Sequence, residues 1–250
     1  MRARITLVGV ALAATSVLST TSPALAGGST VVGGNDAFEQ DRVALTLAIE
    51  HSESALTAAD RAVLARHPEL AAKVVDPEAT QVVKVSKKVK LSQAQAKNGD
   101  SAEVTALLAE AETVTTVTNV NGVEEVIGGS GEVQAVAAGF YCQEATYSKR
   151  ERSTLGLSTL YQLNHYFRWC YEHGGTVHEI VSRRHWMSNM DVIADYKSLI
   201  SSWKDGLHTS RVRSFYQVHV QLCYPKVLCA NRYPKVGING YNNGTSNHWT

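Results

Sequence analysis

The chain has 250 residues, 44% of them hydrophobic and 19% charged, and its formal net charge is +1. After the first 26 residues no apolar run is long enough to span a bilayer as a helix. There are four cysteines, with no C-x-x-C spacing and no His at ligand spacing from a Cys pair, which excludes a structural zinc site.

The N-terminus carries the three parts of a signal peptide in order. Arg2 and Arg4 form a positive n-region, Ile5 to Val17 is the apolar stretch, and Ser22-Pro23-Ala24-Leu25-Ala26 ends in Ala-x-Ala. Residues 1–26 are therefore expected to be removed near Ala26, giving a secreted protein without a transmembrane anchor. An exported chain with four cysteines is expected to hold two disulfides. Three pairings of Cys142, Cys170, Cys223 and Cys229 are open, and Cys142–Cys170 with Cys223–Cys229 is the favoured one.

The remaining chain divides by charge and by aromatic content. Gly27 to Gly139 holds 9 Lys+Arg against 16 Asp+Glu, a net of −7; Phe140 to Thr250 holds 13 against 7, a net of +6. Of the 18 aromatic residues, only Phe38 precedes Phe140. Aromatic side chains dominate core energetics, so the first region is expected to pack loosely.

Asp36 is placed to cap a helix from about Ala37 to His51. Thr57-Ala-Ala-Asp60 resembles a capping box for a helix to about Arg66, closed by His67-Pro68. Pro68 could open another turn or two. From Gln81 to Leu91 the period changes: Val83, Val85 and Val89 alternate with Lys84, Lys88 and Lys90, as in a strand. Ser101 is placed to cap a helix from Ala102 to Glu112. Thr113 to Val120 and Val123 to Ile127 suit two strands joined at Asn121-Gly122, and Gly128-Gly-Ser-Gly131 suits a linker.

From Phe140 the pattern is β throughout. The longest signal is Leu157 to Tyr171, where Leu157, Tyr161, Leu163, His165, Phe167, Trp169 and Tyr171 alternate with polar positions. Further strands are expected at Phe140–Tyr147, Val177–Arg183, about Asp191–Trp203, Arg211–Cys223 and Lys235–Tyr241. Lys149-Arg-Glu-Arg152 is expected to be the loop of the first hairpin. His165 falls on the apolar face and is expected to be a hydrogen-bonded core residue. Cys170 and Cys223 fall on polar faces, which places the disulfides at the periphery.

The expected fold is thus α+β overall. A mainly helical, loosely packed N-terminal region, residues 27–131, serves as pro-segment or spacer. An all-β, sandwich-like, disulfide-bonded domain follows at residues 132–250. The pieces Arg168-Trp-Cys-Tyr171 with Gly174-Gly175, Ser182-Arg-Arg-His-Trp186, Phe215 to Cys223, Cys229 and Tyr233-Pro234 resemble a group of uncharacterised secreted β-rich proteins of high-GC Gram-positive bacteria. That resemblance implies a secreted β fold and assigns no activity.

Basic and aromatic residues cluster in the second half. Arg150, Arg152, Arg168, Arg183, Arg184, Trp186, Arg211 and Arg213 are candidates for holding an anionic polymer at the cell surface, such as teichoic acid, extracellular nucleic acid or acidic polysaccharide. A ribonuclease-like alternative would use His178 and His219 as acid and base with Arg213 beside the phosphate. A third alternative is a protease inhibitor with the Cys223–Cys229 loop as bait. No G-x-S-x-G, phosphate loop or metal motif is present, since His178-Glu179 lacks the second His of a zincin helix. No catalytic residue, metal or cofactor is therefore assigned, and a non-enzymatic binding role is favoured.

Overall fold

The computed structural model describes residues 56–119, 124–128, 137–156, 158–223 and 229–250, with residues 39, 41, 42 and 46 besides. The expected signal peptide, most of the expected first helix, the Asn121-Gly122 turn and the Gly-Ser linker lie outside the described residues.

Two antiparallel sheets make up most of the described chain. The first has six strands in the order β3-β2-β1-β4-β5-β6. These are β1 (Val75–Leu91), β2 (Val114–Asn119), β3 (Glu124–Gly128), β4 (Phe140–Ser153), β5 (Thr159–Glu172) and β6 (Val177–Ser188). The second has the order β11-β10-β8-β7, from β7 (Ala194–Asp205), β8 (Arg211–Cys223), β10 (Lys235–Tyr241) and β11 (Ser246–Trp249). A short strand, β9 (Cys229–Arg232), pairs with the far end of β8. Beside it β10 pairs with the near end, and Pro234 stands between the two.

The strand β5 forms as its alternation predicts. Leu163, His165, Phe167, Trp169 and Tyr171 are fully buried on its inward face. They meet Val212, Val218 and Val220 of β8 and Val236 and Ile238 of β10 in one core. Sheets can approach this closely where a side chain is missing: a Cβ at Gly240 would sit 2.6 Å from the Trp169 ring. His165 lies in the middle of the core. Its Nδ1 is 3.1 Å from the Val236 carbonyl oxygen and its Nε2 is 2.8 Å from Ser214 Oγ, so one histidine joins β5 to both β10 and β8.

The mainly helical N-terminal region is overturned. Among the described residues before 137, helix is confined to residues 39, 41, 42 and 46, to α1 (Ala58–Arg66), α2 (Pro68–Ala71) and α3 (Ala102–Glu110), and to a 3-10 turn (Gln95–Lys97). The rest of the ordered structure is β1, β2 and β3. The local helix signals are sound: Thr57 accepts from Asp60 N–H while Asp60 accepts from Thr57 N–H, and Ser101 caps α3. The long strand outweighs them, because β1 buries Val75 and Val82 in the main core and Val89 and Leu91 against the second cluster on its other face, which it can do only within the sheet. It pairs with β4 from Val75 to Leu91.

The charge division does not describe how these parts meet. The strand β1 carries Lys84, Lys87, Lys88 and Lys90 into a sheet with the basic half. The ion pair Lys73–Asp191, at 2.8 Å, takes its cation from the acidic half.

Both favoured disulfides are present, Cys142–Cys170 and Cys223–Cys229. The peripheral placement is wrong for the first. Cys142 and Cys170 face each other across β4 and β5 and are fully buried in a second cluster with Leu91, Ala96, Val104 and Leu108. Val104 and Leu108 are one helical turn apart, so α3 lays a single apolar stripe over the outer face of the sheet. The outer face of β5 is polar in sequence but not solvated at this end. Removing each disulfide by paired Cys→Ala changes should cost about 2–4 kcal/mol for Cys142–Cys170 and ~1 kcal/mol less for Cys223–Cys229. The reason is that the two bridges span 28 and 6 residues of sequence. Denaturant midpoints measure this; a larger loss at Cys223–Cys229 would contradict it.

Candidate functional site

At one end of the molecule the inward rows of the two sheets turn from apolar to polar. Along β4 the inward residues run Ala145, Tyr147, Lys149, Glu151. Lys149 stands opposite Leu163, and Glu151 opposite Tyr161. The register of β1 against β4 shifts between Asp76 and Gln81, which takes Pro77 to Thr80 off the ladder. On the other sheet the break at Tyr233-Pro234 does the same between β9 and β10. The sheets part there and leave a cleft of about 540 Å³. This is within the range of ordinary ligand sites.

The cleft is built from both sheets and from both halves of the sequence. Val75, Pro77, Thr80 and Val82 come from β1, and Thr118 and Asn119 from β2. Lys149, Glu151 and Tyr161 come from β4 and β5, and Gln217, Arg232, Tyr233, Pro234 and Lys235 from the region of β8 to β10. His248 and Thr250 complete it. Glu151 is 6% exposed. Its two oxygens are held by Lys149 Nζ at 3.0 Å and by the Thr80 hydroxyl, which donates at 2.7 Å. Arg232 is also 6% exposed. Burying charges is costly unless they are paired, so Lys149 and Glu151 are mutually required. Lys149, Arg232 and Lys235 line the cleft together with Glu151, and of these four Lys235 is the exposed one. Tyr233 is 41% exposed, with His219 stacked on its ring at 5.0 Å.

The eight residues expected to bind anions are not gathered into one surface. Lys149-Arg-Glu-Arg152 is not a hairpin loop but lies inside β4, where successive side chains point to opposite faces. Arg150 donates to Gln162 Oε1 at 2.9 Å, and Arg152 bonds the carbonyl of Gly156. Arg168 is buried near α3, where it donates to the Thr105 hydroxyl at 3.1 Å while its Nε and Nη2 make no hydrogen bond. Arg183 donates to the Trp203 carbonyl at 2.7 Å. Arg213 is locked to Asp205 by two bonds of 2.8 and 2.5 Å, and Arg211 is exposed at the start of β8. Arg183 and Arg213 both meet Trp203, one at its carbonyl and the other over its ring at 5.4 Å, and Arg184 and Trp186 form a second local group. The Arg184 guanidinium lies 4.9 Å from the Tyr166 ring and 5.5 Å from that of Trp186.

The ribonuclease arrangement is not assembled either. His178 Nε2 is 3.1 Å from the carbonyl oxygen of Ala96, in the 3-10 turn, whereas His219 is on the other sheet, 2.9 Å from Asn231 Oδ1. Residues 224–228 of the proposed inhibitor loop lie outside the described residues. Among the described residues no group of three or more His, Cys, Asp and Glu could hold a metal ion.

Sequence reasoning placed Lys149 and Glu151 in a hairpin loop, where the structure has a strand, and passed over Arg232 and Lys235. Lys149 and Glu151 did carry a signal, since they extend the inward alternation of Tyr147. Arg232 and Lys235 carried none, because their place depends on β9 and on the break at Pro234. Antiparallel two-sheet architecture with a cationic inter-sheet cleft is the class that fold and site define. No family model, curated protein or solved structure matches the chain.

Proposed function

We propose that this is a secreted, non-enzymatic β protein that binds an anionic polymer outside the cell, and that it does so in the inter-sheet cleft. The observation that carries this is the lining itself: a concave site that presents the exposed cation Lys235, with the Glu151 carboxylate engaged by Lys149 and Thr80. A carboxylate so held is a poor general acid or base, which favours binding over turnover. Export is supported by the signal-peptide pattern of residues 1–26 and agrees with two disulfides.

The test is retention of the purified protein on immobilised polyanions at rising salt. Lys235 is exposed at the cleft, so Lys235→Glu should weaken binding by roughly three- to tenfold at low salt and lower its salt dependence. Arg184→Glu, away from the cleft, should leave binding unchanged. If Arg184→Glu weakens binding and Lys235→Glu does not, the site is the outer face and the cleft reading fails.

A further inference from the structure

The geometry points to a second binding site, on the outer face of the second sheet, that takes the ring faces of an uncharged polysaccharide. Trp203 of β7 stands opposite Phe215 of β8, Phe215 opposite Gly237 of β10, and Gly237 opposite Trp249 of β11. These four positions form one row across the sheet. The row faces away from the core, because Ser214, Tyr216, Val236 and Ile238 beside it are buried on the inward face. Gly237 lets the row close up: a side chain there would run into the Trp249 ring. The three rings lie 5.1–5.8 Å apart, centre to centre, and within 28° of parallel. Phe215 is 7% exposed, so the two half-buried indoles are the rings that meet solvent.

Charge decides what such a surface can take. On one flank the next row is Asp205, Arg213, Asn239 and Asn247. Arg213 is closed onto Asp205 by two bonds and lies 5.4 Å from the Trp203 ring, which leaves Trp249 the more open ring. Asn239 donates to Asn247 Oδ1 at 2.6 Å, so the Asn239 carbonyl oxygen and a second N–H on each amide remain for another partner. The other flank, Ser201, Gln217 and Lys235, brings one exposed cation. A polymer with a charge on every unit finds a single counter-charge here. Nucleic acid stacks on aromatic planes as well, but its phosphates call for a cationic groove. A chain of neutral sugars is complementary to this surface: its C–H faces pack on the indoles and its hydroxyls meet the amides. Equatorial linkage keeps those faces flat along the chain, which matches rings so nearly parallel.

The probe is cellohexaose, read by acrylamide quenching of indole fluorescence in the Trp186→Phe protein. Trp186 is exposed on the first sheet and Trp169 is fully buried, so the variant should fold and its quenchable signal should come from Trp203 and Trp249. Saturating cellohexaose should shield that signal. Trp249→Ala should weaken binding by about three- to tenfold, while Lys235→Glu, which weakens polyanion binding on the cleft reading, should leave cellohexaose binding unchanged. Quenching that cellohexaose does not reduce, or equal affinity in a folded Trp249→Ala protein, overturns the site. The shielding measurement leaves Trp249 in place, so it decides the matter even where Trp249→Ala does not fold. If Lys235→Glu weakens cellohexaose as much as it weakens polyanions, the glycan lies in the cleft and the separate site is overturned, while the cleft reading stands.

Discussion

Lowering the pH from 7 to 5 should destabilise this protein by about 2 kcal/mol through His165 alone. Burial pushes the His165 imidazole from an ordinary 6.5 down to about 3, with the nearby charges of Arg183 and His185 adding to the shift and the bond to the Val236 carbonyl opposing it. The unfolded chain then binds the proton that the folded chain refuses. Between about pH 6.5 and pH 3 the unfolded state holds more protons, so stability falls as pH falls, at roughly 1.4 kcal/mol per unit. Above pH 6.5 the ring is neutral in both states and the effect vanishes. His185, also held low by burial, contributes with the same sign. Asp191 titrates below the ordinary carboxylate range because Lys73 and the Ile193 N–H bond it. Its stabilising effect is lost only as the unfolded carboxyl protonates, from about pH 4 downward, which lies below the pH 7 to 5 interval. The measurement is the denaturant midpoint at pH 7 and pH 5 for the wild type and for His165→Gln. The variant should be less stable at pH 7, because Ser214 and Val236 lose their fitted partner, but should have a clearly shallower pH dependence. Parallel profiles would show that His165 does not carry the acid sensitivity.

The second large effect concerns residues 132–250 expressed alone, which should not fold. The chain from Phe140 onward holds nearly all the aromatic side chains, yet it lacks β1. Without β1, the strand β4 loses one whole row of ladder bonds. The main core loses Val75 and Val82, and the second cluster loses Val104 and Leu108. Each such side chain is worth about 1.5–3 kcal/mol when buried. Four of them approach the total stability of a typical domain, about 5–15 kcal/mol. The fragment should therefore show no cooperative unfolding transition. Nicking the intact protein between residues 129 and 136 should instead leave two pieces that stay together at 1 M salt, about the concentration where exposed charges are screened within roughly 3 Å. Strand pairing and apolar burial would hold them, with charge contributing little. A folded 132–250 fragment, or separation of the nicked pieces in salt, would mean that β1 is an accessory to the sheet.

How far the sequence could be trusted differs from element to element. The strand β5 was legible because a period of two over a dozen residues has one physical solution. The caps of α1 and α3 were legible because a side chain three residues away satisfies them locally. The same local logic misjudged the region as a whole. The caps are real, but the helices they open are nine residues each, while β1 runs 17. What decides that balance is a partner strand that is far along the chain. Short strands were missed for a related reason: β9 and β11, four residues each, have too few positions to show a period.

The basic clusters fared worst, and the cause is geometric. In a strand, neighbours in sequence point to opposite faces. Lys149 and Glu151 therefore turn into the cleft while Arg150 turns out toward Gln162. A cluster along the chain becomes two half-clusters in space, and the cations that do meet, Lys149, Arg232 and Lys235, are drawn from separate strands.

By itself, then, the sequence determined the patterns that depend on near neighbours. These are the long inward face of β5, the caps of α1 and α3, the Val/Lys alternation of β1 and the buried setting of His165. Tertiary structure alone decided which surfaces became inside. It placed β1 beside β4 and so made one sheet of two regions with opposite charge. It buried Cys142–Cys170 and Arg168 near α3, on a face whose polar residues pointed to solvent. It also opened the cleft where two sheets part. Each of these depends on which distant segment pairs with or covers which, and that choice is settled by the burial of apolar surface across the whole fold.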